Sequence, residues 1–342
     1  GVANINGRYV ASGKRSRIPY GPAFTGYELM RMFNFVHIAL ILTGIVLRIG
    51  YFLTGRPLSV SETHYAANIF GRSYREILYH LQILPDQPLN ALGFYLAEKT
   101  VTDLLGHSAD MLRLYPLVCA LLGLLLFAYL SRCYLTSFGA TMALGFFTLS
   151  EWLIVTGAMV SPYASDVLIG LLAVFVFEQV RRAEFRPRGM LSLTILGAVS
   201  LWFSYAAIFV WLAMLICLTD QIISLRYVRR VPSLMGLISV WMFSFLSLYL
   251  VCLSNLIQSP YAWYRLQVSF SPAPYWSVET LLWTMTAFLQ VFEHPVDFAF
   301  PLLGAIFFLA GAAGLVKRNP EFLMILILPV FLTMLFGSYR LY

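Results

Sequence analysis

The sequence has few charged residues: Asp, Glu, Lys and Arg together account for only 11% of its 342 positions. Hydrophobic residues account for 60%, which lies far outside the composition of soluble globular domains. The sequence also lacks a glycine-rich loop that would cradle phosphates, which argues against soluble nucleotide-sugar enzymes and ATP-driven pumps. The composition therefore predicts a membrane protein.

Cysteine is scarce as well, and its spacing supports neither a disulfide framework nor a metal site. The four cysteines lie in or beside apolar stretches, with no CxxC pair: Cys119, Cys133, Cys217 and Cys252. They are predicted to be small buried hydrophobes. His64, His80 and His294 also lack the spacing of metal ligands. The sequence predicts no metal site and no bound cofactor, and a divalent cation has no support in it.

Apolar stretches recur along the chain at a length that suits a bilayer, which a helix crosses with about 20 residues. They predict an all-α polytopic membrane protein with about eight or nine transmembrane helices. The fifth stretch is short, and it joins the sixth through a tight hairpin or a break. The stretches cover residues 32–53, 111–130, 134–156, 162–180, 190–203, 205–223, 234–256, 298–316 and 322–336.

The net charge of +7 is explained by membrane topology. If every stretch crosses once, the basic residues collect on one side, and that side is predicted to be cytoplasmic. Residues 1–31 then form a basic cytoplasmic arm, and the protein is placed in the inner or plasma membrane. Nucleic-acid binding is not predicted. The basic residues on this side include Arg132, Arg181, Arg182, Arg186, Arg188, Arg226, Arg229, Arg230, Lys317 and Arg318.

The first loop on the opposite side, about residues 54–111, is longer than a simple connection requires, and such loops are usually functional. Apolar residues at near-helical spacing predict one amphipathic helix over residues 62–80 and a second over 90–105. Both helices are expected to lie flat at the membrane interface. On the first of them, Glu62 is expected to turn toward water.

Several motifs in this loop and beyond it resemble those of a known family. The segment Ser61-Glu62-Thr63-His64-Tyr65 resembles the acidic opening of bacterial family C glycosyltransferases, which are relatives of protein O-mannosyltransferases and of the lipid A aminoarabinose transferase. Other segments follow in the family's order, and the resemblance covers about residues 35–342. They are Asp86-Gln87-Pro88, Leu112-Arg113-Leu114-Tyr115-Pro116, Pro162-Tyr163-Ala164-Ser165-Asp166 and Trp202-Phe203-Ser204-Tyr205.

The resemblance implies both a fold and an activity. It implies a GT-C-like transmembrane domain over residues 32–342, with a second long outer loop at about 257–297. It also implies a family 39-like glycosyltransferase that moves a sugar from a polyprenyl-phosphate donor to an acceptor hydroxyl at the outer membrane face, with inversion. Membrane lipid and a lipid-linked sugar are the partners that it implies.

Such a transfer requires a base for the acceptor hydroxyl and donors that stabilise the departing phosphate. Three carboxylates fall at the same membrane boundary in this topology and are the candidate catalytic groups: Glu62, Asp86 and Asp166. The candidates for binding the donor phosphate are Arg113, Arg265 and Tyr163. Structural roles are alternatives for three of these residues: Glu62 as a helix cap, Asp166 as half of an ion pair, and Arg113 as a headgroup contact.

Departures from the family pattern favour a second hypothesis. Ser61 stands where the family carries Asp, Met159 and Ser161 stand near where it carries Glu and Lys, and the chain stops at Tyr342, short of a further family segment. The chain is then a trimmed, catalytically eroded subunit that serves as a structural partner in a larger membrane complex. A transporter is a third hypothesis, although no inverted repeat with paired broken helices is evident.

Overall fold

The computed structural model describes residues 35–79, 91–224, 228–253, 277–293, 300–318 and 320–338. These ranges contain fourteen α-helices and no strand, as the all-α prediction requires. In chain order the helices are α1 (Phe35–Phe52), α2 (Val60–Phe70), α3 (Tyr74–Tyr79), α4 (Leu92–Leu105), α5 (Ala109–Tyr134), α6 (Ser137–Leu149), α7 (Glu151–Thr156), α8 (Tyr163–Arg182), α9 (Pro187–Phe203), α10 (Ala207–Ser224), α11 (Val231–Leu248), α12 (Val278–Glu293), α13 (Pro301–Arg318) and α14 (Pro320–Ser338). The basic arm over residues 1–31 lies outside the described residues.

Five helical stretches in the described part of the chain are long and apolar enough to cross a membrane. These are α1, α5, α8, α10 and Val231–Val251, in which a π-helical turn extends α11. Shorter apolar helices cover Ser137–Leu149, Pro301–Lys317 and Pro320–Leu332. By length and composition this is the helix content of a multi-pass membrane protein, while the count of eight or nine crossings stays a prediction.

The third predicted crossing, residues 134–156, is divided into two helices at Ser150. The backbone of Ser150 leaves the helical region (φ −58°, ψ 116°), and its hydroxyl accepts a hydrogen bond from the backbone N–H of Leu153. This hydroxyl therefore caps the start of α7. Glu151 follows in the first turn of α7, where a negative charge is stabilised by the helix dipole.

A second interruption separates α9 from α10. Ser204 adopts an extended conformation after the last residue of α9, and its hydroxyl accepts from the backbone N–H of Ala207. The segment that resembles the family motif, residues 202–205, therefore forms this break. On the far side of α9, the indole of Trp241 donates to the carbonyl of Thr194 and joins α11 to the helix.

The first-loop helices are packed into the protein. Tyr65 and Ile69 of α2 are almost fully buried and share a core with Phe94 of α4 and Leu112 of α5. The single helix predicted over residues 62–80 is two helices, α2 and α3, because the chain turns after Phe70. The apolar face of α2 thus packs against protein, and the expectation that this face is buried in the membrane interface is wrong. That the helix lies parallel to the membrane stays a prediction.

The orientation predicted for Glu62 is also wrong. Its side chain is buried on the same face of α2 as Tyr65 and Ile69, which are three and seven residues farther along the helix. Residues at these spacings share one face of an α-helix. A carboxylate on that face is tolerated because Arg113 of α5 supplies a positive charge beside it.

Glycine sets the contact between α4 and α9. A Cβ atom added at Gly93 would lie 2.7 Å from the carbonyl oxygen of Trp202 and 2.8 Å from the ring of Phe203. The Gly93→Ala substitution is therefore expected to force α4 away from α9 and to lower the free energy of unfolding by about 1–3 kcal/mol. Thermal unfolding of the purified protein measures this loss.

The matched control is Gly236→Ala in α11, where an added Cβ meets no atom within 4 Å. Alanine has the higher helix propensity, so this variant is expected to be as stable as the wild type or slightly more stable. Equal unfolding temperatures for the two variants would contradict the close packing inferred at Gly93.

Candidate functional site

The candidate site begins at the N-terminus of α2, where a capping box holds Glu62. The hydroxyl of Ser59 accepts from the backbone N–H of Glu62, and the Glu62 carboxylate accepts from the backbone N–H of Ser59 at 2.9 Å. This reciprocal pair satisfies two N–H groups that a helix start otherwise leaves unpaired. The helix-capping role considered for Glu62 is present in the structure.

Glu62 also forms a two-pronged ion pair with Arg113 of α5. The Nε and Nη2 atoms of Arg113 donate to the two carboxylate oxygens of Glu62 at 3.0 and 3.1 Å. Both side chains are about 1% exposed. The backbone N–H of Val160 donates to the same carboxylate at 3.1 Å. The pair thus joins the first loop and α5 to the segment that leads into α8.

Arg113 also donates hydrogen bonds to backbone carbonyls at the end of the segment that connects α1 to α2. Its Nη1 donates to the carbonyl of Arg56 at 2.8 Å, and its Nη2 donates to the carbonyl of Pro57 at 3.2 Å. Arg56 in turn donates to the carbonyl of Ala158 and lies over the ring of Tyr51. Arg113 therefore has its donors committed to protein groups, which leaves it poorly placed to bind a phosphate.

The protonation of Glu62 follows from these contacts. Burial by itself raises the pKa of its carboxyl, but the hydrogen bonds from Arg113 and from the backbone of Ser59 and Val160 outweigh burial and lower the pKa to about 2. A general base works best when its pKa lies near the working pH. Glu62 is therefore suited to a fixed structural charge and poorly suited to proton transfer.

Asp166 has a different environment. It lies in the first turn of α8, it is half-buried, and its carboxylate accepts a hydrogen bond from the Ser204 hydroxyl at the break between α9 and α10. Among the described residues, no basic side chain forms an ion pair with it. The ion-pair alternative for Asp166 has no partner in this part of the chain.

The two carboxylates lie at the same end of the helix bundle. Glu62 binds the backbone of Val160, and Asp166 follows six residues later, one helical turn into α8. At about 1.5 Å per residue, Asp166 lies about 6 Å along the helix from Pro162. Tyr163 lies between Val160 and Asp166 in the sequence, and 42% of the residue is exposed. Its ring centroid is 5.9 Å from that of Trp152.

The structure thus brings Glu62, Arg113 and the start of α8 into direct contact and places Asp166 one turn deeper. Asp86 and Arg265, the other two candidates, lie outside the described residues. Within the described ranges, no group of three or more His, Cys, Asp and Glu side chains is arranged to hold a metal ion.

Glu98 of α4 is an additional buried carboxyl, and it is not among the predicted site residues. It is fully buried, and neither of its oxygens has a hydrogen-bond partner among the described residues. Burial raises the pKa of its carboxyl well above the ordinary value, because the charged form loses its solvation. The helical spacing that places Glu98 beside Phe94 and Tyr95 is the sequence signal for this burial.

No family model matches the chain, and no curated protein or solved structure matches it. The assignment to a glycosyltransferase family therefore stays a prediction from the ordered sequence motifs.

Proposed function

We propose that the protein transfers a sugar from a polyprenyl-phosphate donor to an acceptor hydroxyl, with inversion, at the end of the bundle where α8 begins. The observation that carries the proposal is the carboxylate of Asp166. It lies half-buried in the first turn of an apolar helix, accepts a hydrogen bond from Ser204, and has no cation paired with it in the described part of the chain. The proposal puts this end of the bundle at the outer face of the cell membrane.

The position of Asp166 suits a substrate that is part lipid and part polar. The apolar length of α8 continues for about three turns beyond it, as far as Phe177, while Tyr163 precedes it with an exposed ring. An apolar groove between α5 and α8 starts two residues beyond Asp166 and accommodates a hydrocarbon chain. Its walls are Leu122, Leu125, Leu126, Tyr129, Leu168, Leu172 and Phe175.

In the proposed reaction, the acceptor oxygen attacks the anomeric carbon of the sugar while the Asp166 carboxylate takes the hydroxyl proton. The bond between the anomeric carbon and the phosphate oxygen breaks, and the lipid phosphate leaves with the electron pair. A single displacement of this kind inverts the anomeric centre and needs no nucleophile on the enzyme. Tyr163 is proposed to donate a hydrogen bond to the phosphate.

Glu62 and Arg113 are assigned a positioning role in this proposal. Their ion pair holds the segment before α8 through the backbone N–H of Val160. It thereby fixes the entrance to the turn that carries Asp166. Asp86 and Arg265 remain candidates for a second carboxylate and a phosphate ligand.

The test uses membranes that contain the full chain, incubated with radiolabelled polyprenyl-phosphate sugars and a cell extract as the source of acceptor. Label is expected to move to an acceptor, with the opposite anomeric configuration to the donor. Membranes from the same cells without the protein are the control. Transfer at the control rate for every donor would contradict the proposal.

A catalytically eroded subunit is the second candidate. It is favoured because the Glu62 carboxylate already accepts several hydrogen bonds from the protein itself. Four hydrogen bonds from protein donors occupy the carboxylate that aligns with the family's catalytic loop: those of Ser59, Val160 and two nitrogens of Arg113. A subunit of this kind is expected to co-purify with a partner chain in fixed stoichiometry after mild detergent extraction. Purification as a single chain with transferase activity would exclude it.

A further inference from the structure

Arg48 is a buried cation in α1, four residues before this apolar helix ends. Its side chain is about 1% exposed. An ionisable residue within a membrane-spanning helix is costly and usually has a partner or a function. The contacts of Arg48 show how much of its charge the protein itself compensates.

The guanidinium reaches the C-terminal end of α6. Its Nη1 donates to the carbonyls of Gly44 at 3.2 Å and Thr148 at 3.3 Å, and its Nη2 donates to the carbonyl of Phe147 at 3.0 Å. The last carbonyls of a helix lack intrahelical partners and carry the negative end of the helix dipole. Arg48 therefore caps α6 at the break before α7.

These contacts leave part of the guanidinium unsatisfied. A guanidinium carries five N–H donors, and the Nε atom of Arg48 is buried without a hydrogen-bond partner among the described residues. No carboxylate in those residues forms an ion pair with it, and the end of α6 offers only about half of a negative charge. A net positive charge therefore remains inside the bundle.

A small cavity adjoins this charge where α1, α5, α6, α7 and α8 meet. Arg48 and Phe147 line it together with Cys119, Gly123, Thr156 and Ala164, and it has room for about one water-sized sphere. A phosphate or a carboxylate ligand is too large for this space. Asp166 does not line this cavity, and its carboxylate interacts instead with Ser204 at the α9–α10 break.

We propose that Arg48 and this cavity bind a monovalent halide ion, which is chloride in cells. The size of the cavity restricts the occupant to a single heavy atom, and the residual charge of the guanidinium selects an anion over water. The free Nε–H of Arg48 supplies the hydrogen bond to the ion, while the Thr156 hydroxyl donates to the carbonyl of Trp152 and does not take part. A bound halide would tie α1 to the α6–α7 break and to α8.

The experiment measures thermal unfolding of the purified full-length protein in detergent. Potassium gluconate is replaced stepwise by potassium chloride or bromide at constant ionic strength. A ligand that binds only the folded state raises the unfolding temperature in a saturable way. The expected rise is about 5 °C at a halide concentration 100-fold above the Kd.

Arg48→Gln would remove both the proposed ion site and the cap of α6, so its effect on stability could not be assigned to the ion. Gly123→Ala is therefore the decisive variant. An added Cβ at Gly123 lies 4.0 Å from its nearest neighbour, Leu171, so the variant folds while its methyl group narrows the cavity. It is expected to lose the halide-dependent rise. Gly170→Ala in α8 is the control, because an added Cβ there meets no atom within 4 Å and Gly170 does not line the cavity.

Two results would overturn the inference. One is a wild type that unfolds at the same temperature in gluconate, chloride and bromide, which would show that water is sufficient beside Arg48. The other is a halide-dependent rise that Gly123→Ala retains in full, which would place the ion elsewhere. Anomalous scattering from bromide beside the Arg48 guanidinium would support the site directly.

Discussion

Asp166→Asn is expected to lower the rate of sugar transfer by about 100- to 10,000-fold. Asparagine has nearly the same shape and keeps an oxygen that accepts the hydrogen bond of Ser204, but it cannot take a proton from the acceptor hydroxyl. Initial rates with labelled polyprenyl-phosphate sugar measure the loss. The unfolding temperature is expected to stay close to that of the wild type, because Asp166 has no ion pair to lose among the described residues.

The matched control is Asp220→Asn in α10. Asp220 is exposed and accepts a hydrogen bond from Ser224 at the end of its helix, remote in sequence from the start of α8. This variant is expected to keep the full rate. If Asp166→Asn transferred sugar within about threefold of the wild type, Asp166 would not be the base.

Breaking the Glu62–Arg113 pair is expected to affect stability more than chemistry. Arg113→Met leaves the buried Glu62 carboxylate with only the longer, 3.9 Å contact to Arg56 as a counter-charge, and breaking a buried pair costs about 3–5 kcal/mol. Replacing both residues by apolar ones of similar size is often nearly neutral. The double variant Glu62→Leu with Arg113→Met is therefore expected to recover most of the lost stability in chemical unfolding.

The same pair predicts how stability depends on pH. The pKa of Glu62 is lowered from its ordinary 4.5 to about 2, so the ionised carboxylate stabilises the folded state. This contribution is complete above about pH 4.5 and disappears as the pH falls through about 2. A shift of this size corresponds to about 3 kcal/mol. The wild type is expected to lose its advantage over Glu62→Gln between these two pH values.

The kinetic behaviour of Glu62→Gln separates a positioning role from a catalytic one. Per folded molecule, its transfer rate is expected to fall less than that of Asp166→Asn, because the capping box and the contact with Val160 can be made in part by an amide oxygen. A greater loss than that of Asp166→Asn, at equal amounts of folded protein, would return Glu62 to the role of base.

The positions of several helices could be predicted from the sequence because they depend on local apolar length. The stretch 32–53 predicts α1 within three residues at its start, and 162–180 predicts α8 within two residues at its end. The break at Ser150 was not predicted, although Ser150-Glu151 is a helix-start signal inside an apolar run. The apolar residues on both sides of Ser150 predict one continuous helix, so the cap was not recognised.

The environment of Glu62 could not be predicted from periodicity. An amphipathic helix has the same spacing whether its apolar face meets lipid or protein, and only the packing of α2 on α4 and α5 decides between them. The partner of Glu62 lies 51 residues away at Arg113, so no local pattern reveals the pair.

Photo-crosslinking tests directly whether the lipid phosphate binds at the start of α8. A polyprenyl phosphate that carries a diazirine next to its phosphate is irradiated with the full-length protein in nanodiscs, and labelled peptides are mapped by mass spectrometry. We expect label within residues 158–166, which lead into α8. An excess of unlabelled lipid phosphate is expected to suppress that label. Label confined to the opposite end of α8, around Arg181 and Arg182, or label that the competitor does not reduce, would contradict the account.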